Sequence, residues 1–226
     1  MNARLPLPPI LYLHGFASSP GSAKARAFVE RLEPLGSRVF VPRLDGGDFS
    51  RLTISRALAA AESAVPGPAG TYAVVGSSMG GYLALRHALR RPVLGVVAMA
   101  PALDLPDSWP RWMEPVEMER WAMTGWTAVD HHETGRKERL AYDIVADARR
   151  HEVLTEAPRC PVLIFHGRRD DVVPCVLSER FARTNPGVRL QLLDDDHSLL
   201  SSVPFILDES VAFLRGCTAS TGPRAS

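Results

Sequence analysis

"YAVVGSSMGGYLAL" (residues 72–85) sets two adjacent serines between glycines, at a point where the residue pattern changes. An apolar run ends at Gly76, and "MGGYLALRHALRR" (79–91) continues at once with helix-forming residues. A chain that passes so sharply from strand to helix forces the residue at the turn into a strained conformation. The residues two before and two after it must then be small, or their side chains collide. Ser78 has Gly76 and Gly80 at those positions, whereas Ser77 has Val75 and Met79. Ser78 is therefore the candidate nucleophile. A tight junction without chemistry would need the same glycines, so the rest of the chain must supply the partners.

Outward from this turn, short apolar runs alternate with helical patterns. Strands are expected at 10–14, 38–42, 72–76, 94–100, 162–167 and 189–194. Their apolar character is continuous rather than alternating, as in a parallel sheet covered on both faces. Helices are expected near 22–34, 53–65, 79–91, 138–149, 176–184 and 202–215. About six mostly parallel strands with helices on both faces make a doubly wound α/β domain over residues 1–215. The final "GCTASTGPRAS" (216–226) reads as a disordered tail. Segment 102–137 breaks the rhythm: it holds Trp109, Trp112, Trp121 and Trp126, several prolines and no clear strand. An insertion at this place in such a fold is expected to form a lid or a substrate wall, although tryptophans can also serve only as packing.

Composition narrows the function. The formal net charge is +1 and the basic residues are scattered, so neither nucleic acid nor an anionic membrane is an expected partner. No apolar run approaches the ~20 residues of a membrane span. The N-terminal residues lack the apolar core of a secretory signal, and three cysteines without zinc-ligand spacing suit reduced thiols, so a cytoplasmic setting is expected. No metal or cofactor site is expected.

An acyl-transfer serine needs amide donors for the developing oxyanion. Met79 opens the following helix, where backbone N–H groups are free. "LYLHGFASSPGS" (11–22) offers the second donor: the strand ends at His14, Gly15 permits the turn and Phe16 presents its N–H. His14 reads as support for this loop rather than as the base.

Seven histidines compete for the base. His87 lies within the helix after the serine, His131, His132 and His151 belong to the irregular region and its following helix, and His166 reads as structural. His197, in "LLDDDHSLLSS", follows the last strand at the carboxyl edge, where sites in open α/β sheets assemble. Its position also satisfies the order serine, acid, histidine. For the acid, "FHGRRDDVVP" places Asp170 just past a strand end, with Asp171 and Asp104 as alternatives.

With these motifs assembled, the chain resembles an α/β-hydrolase. "LYLHGFASSPGSAKA" and "VGSSMGGYLAL" are similar to the YqiA-type bacterial esterases. "VGSSMGG", "HGRRDDVVP" and "DDDHS" also resemble the related mitochondrial palmitoyl-protein thioesterase and acyl-glucuronide esterase group. The likeness spans residues 9 to about 215 and is weakest in the tryptophan-rich stretch. It implies a trimmed hydrolase fold that starts at the strand leading to the oxyanion loop. It also implies Ser78 as nucleophile, Asp170 as acid and His197 as base, with the Phe16 and Met79 amides for the oxyanion. The expected chemistry is hydrolysis of carboxylic esters, or of thioesters as in an acyl-protein thioesterase, without a cofactor. A peptidase, and a binding protein on a hydrolase scaffold, are the competing classes.

Overall fold

The computed structural model describes residues 7–219. Its six central strands are β1 (Ile10–Leu13), β2 (Val39–Phe40), β3 (Ala73–Ser77), β4 (Val96–Met99), β7 (Val162–Gly167) and β8 (Val188–Leu193). The intervening strands, β5 (Trp126–His131) and β6 (Arg136–Ala141), form a separate hairpin. The helices are α1 (Ala23–Leu32), α2 (Ile54–Ser63), α3 (Met79–Arg90), α4 (Trp109–Trp112), α5 (Pro115–Thr124), α6 (Asp143–Ala148), α7 (Val176–Thr184) and α8 (Val203–Ala219). No helix among the described residues is long and apolar enough to cross a membrane.

The central sheet runs β2-β1-β3-β4-β7-β8, with every pair parallel. Continuous apolar strands follow from this, because alternate side chains enter two different cores. Leu11, Leu13, Val74, Val96 and Ile164 pack against α2, α3, α6 and α7 on one face. Ile10, Tyr12, Val75, Val97 and Phe165 pack against α1 and α8 on the other. The chain leaves β1 for β2 on one side and returns to β3 on the other, so the strand order reverses at β1. A crevice opens there at the carboxyl ends of the strands.

Two glycines set how closely that crevice is built. A Cβ on Gly76 would overlap the Gly80 carbonyl, and a Cβ on Gly80 would overlap the Leu13 carbonyl. Both obstacles are backbone and cannot swing away. The first helical turn of α3 therefore sits directly against the ends of β3 and β1.

Three expectations need correction. The insertion contains a clear antiparallel hairpin, from Trp126↔Ala141 to His131↔Arg136. The helix expected over 138–149 accordingly begins only at Asp143. A two-stranded sheet leaves most of its surface in solvent, so "RKERLA" carries four charged residues, only Glu138 of them half-buried, and its composition reads as helical. The last helix also continues to Ala219, so residues 216–219 belong to it rather than to a tail, and 220–226 lie outside the described residues.

Gly80→Ala should lower the melting temperature by roughly 8–16 °C, equivalent to about 4 kcal/mol, or prevent folding. Gly187→Ala, where an added Cβ meets nothing within 4 Å, is the control and should shift it by less than about 2 °C. Thermal melts compare them, and a Gly80→Ala protein that melts like wild type would contradict the close-approach account.

Candidate active site

Ser78 occupies the turn between β3 and α3 with φ 55° and ψ −118°. Backbone bonds hold it there: its N–H donates to Met99 O at 2.8 Å, and its carbonyl accepts from Gly81 N at 2.9 Å. A positive φ at a residue with a side chain costs about 1–3 kcal/mol and persists only where its surroundings fix it. Four non-glycine residues among those described share this feature: Ala17, Ser78, Ala100 and Leu199. All four follow strands at the carboxyl edge of the sheet. Strain is gathered at one place.

Two loops bring partners to Ser78. A Cβ on Gly167 would overlap the carbonyls of Asp195 and Asp196, so the chain after β8 crosses directly over the end of β7. His197 Nε2 thereby lies 3.1 Å from Ser78 Oγ, and its Nδ1 lies 2.8 Å from Asp170 Oδ2. Asp170 Oδ1 accepts the amides of Val172 at 2.9 Å and Val173 at 2.7 Å. Burial alone would push the Asp170 carboxyl up, but hydrogen bonds from His166, His197 and Val173 outweigh it and hold it well below the usual range. Asp170 is thus an anion fixed on both oxygens. It orients the Nδ1–H tautomer of His197, whose Nε2 can accept the serine proton.

The alternatives are engaged elsewhere. Asp104 forms a two-point pair with Arg111, at 2.6 and 2.9 Å, and Asp171 is exposed. His87 bonds the Tyr72 hydroxyl at 2.7 Å, and His151 bonds Ser55 at 3.1 Å. His131 lies edge-on to Phe49, while His132 reaches the cleft wall and its amide bonds Ala17 O at 2.9 Å. Of the acidic run, Asp194 pairs with Arg169, Asp195 caps the amides of Asp196 and Ser202, and Asp196 accepts from Ser198. These carboxylates build the loop that carries His197.

The loop after β1 faces the same point. A Cβ on Gly15 would rest 3.5 Å from Ser77 O and 3.6 Å from Ser78 Cβ, ordinary contact distances. Phe16 and Met79 both line the cleft beside Ser78. Met79 is the first residue of α3, so its amide has no acceptor one turn back in the helix. His14 is buried, its Nδ1 lies 2.9 Å from Gly15 O and its Nε2 accepts Leu44 N–H at 3.4 Å. Two bonded ring nitrogens, with burial pushing its pKa down, make His14 a neutral brace for the loop.

The cleft measures about 1250 Å³. Phe16, Met79, Trp109, Trp112 and Trp121 give it an apolar wall. The indoles of Trp112 and Trp121 each lie edge-on to Trp109, at 5.5 and 5.6 Å, and Trp109 meets Phe16 at 5.8 Å. Trp126 corrects the expectation that all four form this wall. It is 45% exposed, outside the cleft, with the Arg139 guanidinium 4.2 Å above its ring.

Lys24 escaped the sequence reading. Its Nζ donates to Ser198 O at 2.7 Å, tying the start of α1 to the residue after His197. Burial pulls this lysine down to about 8, against the attraction of Asp170, Asp196 and Asp195. A lone lysine in the first turn of a helix carries no local signal of such a tie. Between about 8 and its ordinary 10.5 the unfolded chain binds the extra proton, so this residue makes stability rise with pH across that window. Lys24→Met should remove that slope: melts from pH 7.5 to 10 should show the wild type gaining on the variant. A constant gap between them would contradict the assignment.

Comparison with known proteins agrees with this architecture. The profile of the Uncharacterised protein family UPF0227 matches residues 9–214. Palmitoyl-protein thioesterase ABHD10, mitochondrial, from Bos taurus is 28% identical over 184 residues, covering 74% of this chain and 58% of that protein. The Homo sapiens protein of that name is 27% identical over 183 residues, with the same coverage of each. The chain thus spans less than two thirds of the length of these relatives. Among solved structures, alpha/beta hydrolase domain-containing protein 10 from mouse superposes with a TM-score of 0.75 at 24% identity, covering 92% of this chain and 90% of that one. Est1E from Butyrivibrio proteoclasticus, with ferulic acid bound, gives 0.76 at 20% identity, covering 94% and 90%. The sheet order, the elbow at Ser78 and the family match lead to one assignment: the chain is an α/β-hydrolase-fold protein that belongs to family UPF0227.

Proposed function

We propose that this chain is a serine hydrolase that cleaves carboxylic esters or thioesters through an acyl-enzyme on Ser78. The carrying observation is the unbroken hydrogen-bonded path from Ser78 Oγ through His197 to Asp170, starting on a strained elbow. His197 Nε2 takes the hydroxyl proton as Ser78 Oγ attacks the acyl carbonyl. Asp170 stabilises the imidazolium that forms. The amides of Phe16 and Met79 hold the tetrahedral oxyanion, each such donor being worth about 2.7–4 kcal/mol. The imidazolium then protonates the departing alcohol or thiol. Water, deprotonated by His197, repeats the sequence and releases the acid.

The apolar wall favours an acyl group with a large hydrophobic body. The names of the ABHD10 relatives point to palmitoyl thioesters, and the same machinery serves that leaving group. A panel of p-nitrophenyl esters and acyl thioesters separates the two preferences.

Ser78→Ala should reduce turnover of every reactive substrate in this panel by at least ~10⁴-fold while the protein remains folded. Ser77→Ala should stay within about threefold of wild type, because a strand residue beside the elbow supplies no proton path. Wild-type rates from Ser78→Ala would refute the proposal. A folded wild type that binds acyl ligands yet turns over nothing would favour a binding protein instead.

A further inference from the structure

Of the buried histidines outside the proposed proton path, His14, His87, His131 and His166, only His166 touches Asp170. His166, in β7, is fully buried four residues before Asp170. Its Nε2 lies 2.9 Å from Val173 O and 3.0 Å from Asp170 Oδ2. Its Nδ1 lies 2.7 Å from the Oγ of Ser178, which is also fully buried, on α7. A carbonyl and a carboxylate can only accept, so Nε2 must carry the hydrogen. The Ser178 hydroxyl then donates to Nδ1. The ring is fixed at both nitrogens: Nε2–H bonds Val173 O, and Asp170 Oδ2 lies in contact with the same nitrogen.

Asp170 Oδ2 also receives His197 Nδ1–H at 2.8 Å, so two imidazoles from different parts of the chain meet on one oxygen. With the Val172 and Val173 amides on Oδ1, the carboxylate has a donor set on each side. Packing alone does not require this: a leucine would fill the space of an imidazole between β7 and α7.

We propose that His166, locked by Ser178, is a positioning residue for the proposed triad, fixing Asp170 Oδ2 and moderating the negative charge that it offers His197. The inference rests on the reading of Ser78, His197 and Asp170 as that triad. Removing the His166 N–H leaves Oδ2 to His197 alone. The less neutralised carboxylate then favours the imidazolium more strongly, and more alkaline conditions are needed to free the base. At the same time the carboxylate loses one of its restraints, so the fraction of productive geometry falls. The other charged groups near this pair are the Lys24 ammonium on α1, Asp195 and Asp196 on the loop after β8, and Arg169 and Asp171 beside Asp170. They are unchanged in the variants below.

The test is the pH dependence of kcat and kcat/KM for p-nitrophenyl acetate, measured on wild type, His166→Leu, His166→Gln and Ser178→Ala, with a thermal melt of each. His166→Leu should lose about 10- to 100-fold in kcat with KM within about twofold, the range seen when the partners that orient metal-ligating side chains are removed. The acid limb of its profile should move to higher pH. His166→Gln, whose amide can donate to the same oxygen, should recover most of the rate and restore the acid limb. Ser178→Ala should shift the limb in the same direction by less, since the ring remains but loses its lock.

A folded His166→Leu protein with wild-type kcat and an unmoved acid limb would overturn the inference. If that variant does not fold, Ser178→Ala decides, since it removes one oxygen: an unchanged profile overturns the inference and a shifted limb supports it. Wild type without turnover of this ester, or turnover that survives Ser78→Ala, would remove the triad reading and this inference with it. Turnover lost in Ser78→Ala but indifferent to His166 and Ser178 would remove only this inference.

Discussion

The whole site depends on the close approach of three backbones at Gly76, Gly80 and Leu13. With hydrogen in place of a side chain at both glycines, the first turn of α3 can lie against the ends of β3 and β1. That contact compels the reversal at Ser78 and its positive φ. It also sets the Met79 amide beside the loop bearing Gly15 and Phe16, so the candidate nucleophile and both candidate amide donors share one constraint. The conformational cost, about 1–3 kcal/mol at such a residue, is offset by the bonds from Ser78 to Met99 and Gly81 and by the buried cores on either side.

The second half of the site has a different logic. Asp170 and His197 come from separate strand ends and meet because the loop after β8 crosses Gly167. Side-chain and backbone ties hold that loop: Asp195 caps within it, and Lys24 reaches it from α1. Asp170 in turn is held from β7 and its own turn by His166, Val172 and Val173. The elbow and Asp170 are thus held largely by backbone bonds, while His197 is carried by a loop that is fastened at several points. The insertion completes the enclosure. Its hairpin bonds the β1 loop through His132 and Ala17, and Trp112 bonds Val172 O at 3.0 Å beside Asp170.

Legibility in the sequence followed the range of the interaction. The six core strands, the elbow and the meeting of Ser78, Asp170 and His197 were readable because each leaves a local signature: an apolar run, a pair of glycines, or an acid and a histidine just past strand ends. The hairpin was not readable, since Arg136, Lys137, Glu138 and Arg139 put charge on both faces of its second strand and only Leu140 there is buried. Trp126 could not be separated from its three fellows, because composition does not say which indoles turn inward. Lys24 and the link from His166 to Ser178 depend on contacts between distant elements. The histidine was visible at a strand end, but nothing local shows that its partners are a carboxylate and a buried hydroxyl.

Intact-mass analysis after treatment with a fluorophosphonate, on wild type, Ser77→Ala and Ser78→Ala, reads the reactivity of Ser78 directly. One adduct is expected on wild type and on Ser77→Ala, and none on Ser78→Ala. An adduct that persists in folded Ser78→Ala, or a folded wild type that never labels, would contradict an activated serine at the elbow.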